Sequence, residues 1–287
     1  MAVFYDTHAH LGRREFAEDL PQVIARAEAA GIGRIITIGT DQASSERAVE
    51  LAERYPQVYA AVGWHPSQAA EAPEDFRPAL RELAGHRKVV ALGETGLDYY
   101  RLPRRPEGAP AGAEARDKAR QADLFRQHLE VAAETGLGCI IHQRSSLEDT
   151  LALVRPFAGR VRGVFHCFAE DAAAGRRIAD LGCLVSVTGI VTYKNAPLVR
   201  ETLAATPLGQ FMLETDCPFL APMPYRGKRC EPAYVREIAA AVAQVKGCSL
   251  DELSLSLIHI SEPTRLLSIS YAVFCLNKKN QSIHFHT

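Results

Sequence analysis

Eight short apolar runs, many of them β-branched, punctuate this chain, and helix-forming stretches rich in Ala, Leu, Glu and Arg follow them. The runs open with Phe4-Tyr5-Asp6-Thr7 and continue with Arg34–Ile38, Val58–Val62, Val89–Leu92, Cys139–Ile141, Val161–Phe165, Leu184–Val187 and Phe211–Leu213. Helices are expected near Leu20–Ala30, Ala43–Arg54, Pro78–Ala84, Ala113–Thr135, Leu147–Pro156, Ala172–Leu181, Pro197–Ala204 and Pro232–Val245. A strand that is apolar along its whole length is covered on both faces, which is the habit of parallel sheets. Alternation of such strands with helices builds βα units. Eight of them in about 250 residues argue a TIM-type (β/α)8 barrel. The alternative is an open doubly wound sheet. No glycine-rich phosphate fingerprint follows the first run, which counts against it.

The bulk numbers narrow the class. At 287 residues and 47% hydrophobic, the chain can bury one large α/β core. The barrel is expected over residues 1–253, with residues 254–287 as a tail. A net charge of −1 provides no global basic field, so any polyanion must be met by a local patch. Seven cysteines without a CxxC pair suggest reduced thiols in a cytoplasmic protein. Neither a signal-peptide pattern nor a long apolar run is present, and no membrane partner is expected.

The chemistry gathers where strands end. In Asp6-Thr7-His8-Ala9-His10 the two histidines are two apart and share one face of a strand. Other strand ends supply Gly63-Trp64-His65-Pro66, Gly93-Glu94-Thr95-Gly96-Leu97-Asp98, His142-Gln143-Arg144, His166-Cys167-Phe168 and Glu214-Thr215-Asp216. Any one of these is ordinarily a satisfied polar residue. Their recurrence at one end of a parallel barrel argues a metal site. Imidazole and carboxylate donors suit zinc, manganese or magnesium. Two such ions can share a carboxylate and activate water towards phosphorus or a carbonyl. Glu94 is the natural bridge, since no lysine stands at a strand end to supply one. Asp216 is placed to orient the water or take its proton. Arg226, Lys228 and Arg229 form a local basic patch that could pair with phosphates, or be a solvated turn. Trp64, Tyr99, Tyr100 and Tyr225 could stack on bases or simply pack. The Pro-, Arg- and Gly-rich loop Arg101–Pro110 is either a substrate-contacting lid or a solvated insertion.

Taken together, these motifs resemble the TatD family of metal-dependent deoxyribonucleases. The resemblance extends to Thr188-Gly189-Ile190-Val191-Thr192, to Cys217-Pro218-Phe219-Leu220-Ala221-Pro222 and to Arg226–Arg229 before Glu231-Pro232, and covers about residues 3–253. It implies a barrel holding two divalent metal ions, with His8 and His10 on one, His142 and His166 on the other, and Glu94 between them. It makes Asp216 a ligand that also handles the attacking water, and His65 a contact to substrate phosphate. The implied activity is hydrolysis of DNA phosphodiesters, often from the 3′ end, with no obligate protein partner. Gln143 and Ser145 after His142, and Cys230 before Glu231, depart from the family pattern and bear on substrate contacts. The same donors would serve a metallohydrolase of ester or amide bonds, including removal of aminoacyl groups from tRNA. A non-catalytic metal-binding scaffold is a third reading, disfavoured because a structural zinc site closes with four ligands.

From about Leu255 the composition shifts to Ser, Ile, Asn and Lys, without sustained periodicity. This stretch resembles translated sequencing adapter, so His259, His284 and His286 are given no metal role. The short helix that closes the barrel underside in the family is then missing. Bare apolar surface and lowered stability are expected.

Overall fold

The structure is a computed structural model that describes residues 2–102 and 112–261. Its eight strands are β1 (Phe4–Ala9), β2 (Ile32–Ile38), β3 (Val58–Val62), β4 (Val89–Asp98), β5 (Gly138–Arg144), β6 (Gly163–Phe165), β7 (Leu184–Val187) and β8 (Phe211–Leu213). They form one sheet in sequence order, each neighbouring pair parallel. The sheet closes where β1 meets the end of β8. Ala9 bridges Cys217, the Asp216 N–H donates to the His8 carbonyl at 2.9 Å, and the His10 N–H donates to the Cys217 carbonyl at 2.8 Å. This is the TIM-type barrel anticipated from the run pattern, and every apolar run lies within or overlaps its strand.

The crossover helices are α1 (Leu20–Ala29), α2 (Gln42–Arg54), α3 (Arg77–Ala84), α4 (Ala113–Thr135), α5 (Leu147–Val154), α6 (Ala172–Asp180), α7 (Pro197–Ala205) and α8 (Val235–Lys246). Local chemistry sets their ends. The Asp41 carboxylate accepts from the Ser44 N–H at 2.7 Å to cap α2, and Asp171 caps α6 through the Ala174 N–H at 2.8 Å. Gly136 and Gly247, with φ of 73° and 64°, stop α4 and α8 in the left-handed conformation that glycine takes without steric cost.

Two extensions beyond the expected elements bear on the site and on the barrel floor. β4 continues past Leu92 to Asp98 because pairing with β5 breaks between Leu92 and Thr95 and then resumes, Gly96 opposite His142. Glu94 therefore sits within a strand. At Gly96, φ is +137° and the His142 carbonyl occupies the place a Cβ would take.

The second is α9 (Leu250–Ser261), which crosses the boundary drawn at Leu253 and corrects the expectation of a bare underside. Leu253 and Leu257 are buried and form one stripe with the partly buried Leu250. Ser254 Oγ accepts from the Val3 N–H at 3.1 Å and donates to the Val3 carbonyl at 2.6 Å. The lower end of β1 is tied down by these contacts. The remainder of the tail, with His284 and His286, and the loop over 103–111 lie outside the described residues. Among those described, six cysteines are free thiols, and no helix is long and apolar enough to cross a membrane.

Candidate metal centre

At the C-terminal end of the barrel, Glu94 stands between two groups of donors. Its Oε2 lies 3.5 Å from His8 Nε2 and 3.8 Å from His10 Nε2. Its Oε1 lies 2.8 Å from both His142 Nδ1 and His166 Nε2, and 3.4 Å from His65 Nε2. Asp216 completes the first group, its Oδ1 3.3 Å from His10 Nε2 and 3.7 Å from His8 Nε2. All of these side chains are buried or nearly so, although they come from six different strand ends.

Strand order explains the meeting. His8 lies on β1 and His10 just past its end, two residues on, and the closing hydrogen bonds to Asp216 and Cys217 set β8's end beside them. Asp6 reinforces the seam from beneath, accepting from the Thr215 N–H at 2.9 Å and the Thr215 hydroxyl at 2.6 Å. Asp216 has a φ of 56°, in the left-handed region that aspartate tolerates better than most residues.

Several hydrogen bonds settle which ring nitrogens can be donors to a cation. Asp98 Oδ2 lies 3.1 Å from His142 Nε2; with the proton held there, Nδ1 would present its lone pair towards Glu94 and a cation beside it. Glu214 Oε1 faces His166 Nδ1 at 3.5 Å without a hydrogen bond, and accepts instead from the Cys167 N–H at 2.7 Å. His65 is opposite. Its Nδ1 accepts from the Ser67 N–H at 3.0 Å, so Nε2 bears the proton of the neutral ring and is itself a donor. His65, Glu94 and His142 come close enough to surround an ion, but this tautomer suits an oxygen acceptor instead.

Burial and charge oppose each other throughout the cluster. Burial pushes the Glu94 carboxyl up, yet the His166 and His65 rings and the close approach of His142 and His166 hold it well below the ordinary range. Burial likewise favours a protonated Asp216, and is outweighed by its bond to His10 and by the charge of His8, His10 and His166. His166 shows the converse: burial disfavours its charged form, but Glu94 and Glu214 raise it well above an ordinary imidazole. Burial lowers His65.

A divalent cation fits this donor set. His8 Nε2 and His10 Nε2 face each other at 3.3 Å, and His142 Nδ1 and His166 Nε2 at 3.1 Å. Lone pairs held that close, flanked by buried carboxylates, are mutually unfavourable unless a shared positive charge lies among them. His8, His10 and Asp216 converge within ligand reach, as do His8, Glu94 and His166.

Asp98 and Glu214 stood inside the strand-end motifs, but their partnership with the histidines was not assigned from sequence. The basic patch divides. Arg229 does not offer a free guanidinium to phosphate: it donates to Asp19 at 2.7 Å through both terminal nitrogens, to Glu231 at 2.9 Å and to the Glu15 carbonyl at 2.6 Å. Lys228 is exposed, and Arg226 is exposed with its guanidinium 4.4 Å from the Tyr193 ring centre. Most of the candidate stacking aromatics are otherwise engaged. Trp64 is buried edge-on to Phe76, the Tyr99 hydroxyl donates to Asp149 at 2.7 Å, and Tyr225 stacks on Tyr234. Tyr100 is the exposed one of the four, with Arg144 lying 3.9 Å from its ring centre.

A (β/α)8 barrel with a buried imidazole–carboxylate cluster at its C-terminal end defines a metal-dependent hydrolase. More narrowly, the chain belongs to the TatD-related DNase family, whose model matches residues 5–263. It is 38% identical over 253 residues to the uncharacterized metal-dependent hydrolase YabD of Bacillus subtilis, covering 88% of this chain and 94% of that protein. It is 32% identical over 249 residues to the 3'-5' ssDNA/RNA exonuclease TatD of Klebsiella pneumoniae, covering 85% and 90% respectively. Among solved structures, the TatD homolog YJJV of Escherichia coli aligns with a TM-score of 0.80 at 28% identity, over 91% of this chain and 96% of that one.

Proposed function

We propose that this chain is a two-metal nuclease that hydrolyses DNA phosphodiester bonds from the 3′ end of a single strand. The observation that carries the reading is the position of Glu94, with one carboxylate oxygen towards His8 and His10 and the other towards His142 and His166. The family description, and the exonuclease name borne by the Klebsiella relative, support a nucleic-acid substrate.

In this reading His8, His10 and Asp216 would hold one ion and His142 and His166 the other, with Glu94 placed to serve both. Zinc, manganese and magnesium are the candidates, and when bound they supply Lewis acidity to the phosphate oxygens and to the attacking water. The protein's own groups do the rest. Asp216, kept ionised by the histidines around it, accepts the water's proton as the new P–O bond forms and the old one breaks. The His65 Nε2–H donates to a phosphate oxygen, its tautomer fixed by the Ser67 backbone. Asp98 holds the His142 ring in register, and the Glu214 charge lies behind His166. Arg226 and Lys228, exposed on the turn after β8, meet phosphates beyond the scissile one.

The test is cleavage of an end-labelled single-stranded DNA oligonucleotide with magnesium, manganese or zinc, and with a chelator. Metal-dependent shortening from the 3′ end is expected. Absence of cleavage by folded, metal-loaded protein would overturn the nuclease reading and move the weight to ester or amide substrates. Cleavage of an RNA strand at equal rate would remove the preference for DNA.

A further inference from the structure

On the outer wall of the barrel, between the segment that follows β1 and helix α2, lies a cavity of about 240 Å³. Arg13, Arg47 and Arg54 line it, with Tyr55 at one end and Glu18 as its acidic member. The chain after β1 lies flat on α2 here, Gly12 against the Arg47 side chain. Arg47 and Arg54 are two helical turns apart, so both side chains point into the same groove. Arg13 is paired with the partly buried Glu15 at 3.2 Å and Arg47 with Glu50 at 2.9 Å, and both arginines and Glu50 are exposed. Such exposed pairs contribute little and exchange readily. Arg54 lies 5.5 Å from the Tyr55 ring centre, and among the described residues no carboxylate pairs with it.

This cavity connects to the candidate metal centre. Arg13 lies 5.0 Å from the centre of the Phe219 ring, and Phe219, itself 44% exposed, meets His10 edge-on at 6.1 Å. A line of contacts therefore leads from a ligand of the site, across an exposed aromatic, onto three guanidinium groups. A single nucleic-acid strand asks for this arrangement: an aromatic surface for a base beside the reacting phosphate, then cations for the backbone that runs away from it. Arg229, which the sequence offered for such a role, is occupied by Asp19 and Glu231.

We propose that the Arg13–Arg47–Arg54 cavity is the binding track for backbone phosphates of the uncleaved part of a single-stranded nucleic acid, entered over Phe219. The proposal rests on the nuclease reading for its direction, but the track is a binding site with its own readout. Arg47 and Arg54 take no part in the site chemistry, so the double variant R47Q/R54Q isolates it. A fluorescein-labelled single-stranded DNA oligonucleotide is titrated with full-length wild type and variant in chelator, and cleaved by both with manganese over a range of salt.

The variant should bind the oligonucleotide about tenfold more weakly, with KM raised about as much and kcat unchanged. The salt dependence of log Kd should become shallower by about 1.4, from about 0.7 for each of the two single-strand phosphate contacts removed. Hydrolysis of bis(p-nitrophenyl) phosphate, too short to reach the track, should be unaltered. Cleavage by wild type with unchanged Kd, KM and salt slope in the variant would overturn the track and leave the nuclease reading standing. If wild type binds but does not cleave, and the variant loses that binding, the track stands and the nuclease reading falls. Wild type that neither binds nor cleaves the oligonucleotide removes both. A matching thermal melt of the two proteins separates a lost contact from a lost fold.

Discussion

Where β1 meets β8, His8, His10 and Asp216 are positioned by the main chain. Backbone bonds from Asp216 to His8 and from His10 to Cys217 set them, and His8 Nδ1 has no hydrogen-bond partner among the described residues. Across the site, on β3 to β5, the rings are positioned by a side chain and a nearby backbone donor, Asp98 behind His142 and the Ser67 N–H behind His65, while His166 Nδ1 on β6 faces Glu214 at 3.5 Å and, like His8 Nδ1, has no hydrogen-bond partner among the described residues. One half inherits its geometry from barrel closure. The other depends on buried polar partners that single substitutions can remove. Damage to closure should thus appear as lost stability, and damage to the polar partners as lost activity in a folded protein.

Glu94 belongs to both halves, and its replacement should have the largest effect. Glu94→Gln keeps the shape and removes the charge that faces all five histidines. Activity should fall beyond the roughly 10²–10³-fold typical of losing one stabilising group, and metal content should drop on both sides. Elemental analysis of the purified variant checks this. Retention of metal in one half only would show that the halves are filled independently and that Glu94 does not join them.

Truncation after Leu253 tests the closure half. It removes buried Leu257 and the Ser254 bonds to Val3, which hold the lower end of β1. Burial of one leucine contributes about 2 kcal/mol and the hydrogen bonds about 1 kcal/mol more, so a loss of about 3 kcal/mol is expected by thermal or denaturant unfolding. An unchanged midpoint would mean that β1 is fixed by the sheet alone.

Asp98→Asn tests the other half. The His142 ring keeps a hydrogen-bond acceptor but loses the carboxylate that makes it a stronger donor towards a cation. Such partners typically contribute about 10–100-fold in metal affinity or activity. The loss should be recovered in part at high metal concentration, with the melting temperature little changed. A variant that instead unfolds would place Asp98 in the frame of the barrel.

Strand and helix placement was legible because each βα unit writes its own period into the chain, and His8 and His10 were legible because alternation on a strand puts them on one face. Glu94, His142, His166 and Asp216 followed from their shared position at strand ends. The role of Asp98 was not legible, since which carboxylate backs which ring depends on the offset between β4 and β5, where pairing breaks and resumes, and Glu214 meets His166 only once β6, β7 and β8 lie side by side. Arg229 was misjudged for a related reason: its partner Asp19 is remote in sequence and adjacent only once the barrel has closed. Helix α9 was obscured by the serine-rich composition of a segment whose stripe of leucines still packs.

The smallest expected effect concerns the support beneath the side-chain half. His128 in α4 is fully buried, and its Nε2 accepts from the Trp64 N–H at 3.1 Å, immediately before His65. Its Nδ1–H donates to the Leu124 carbonyl at 2.7 Å. Burial, partly opposed by that bond, pushes the imidazole down to about 4 from an ordinary 6.5. The folded protein therefore holds His128 neutral at pH values where the unfolded chain already binds a proton. Its contribution to stability is intact above about 6.5 and is lost as pH falls from there towards 4. Between about pH 7 and about pH 5.5 this amounts to about 1 kcal/mol. His128→Gln can still accept from Trp64 but cannot titrate. The variant should be less stable than wild type at neutral pH, and the gap should narrow by about 1 kcal/mol over that interval in denaturant melts. A gap that stays constant with pH would mean that His128 takes up its proton without disturbing the loop that carries His65. The side-chain half would then be less dependent on its buried partners than Asp98 and Glu214 imply.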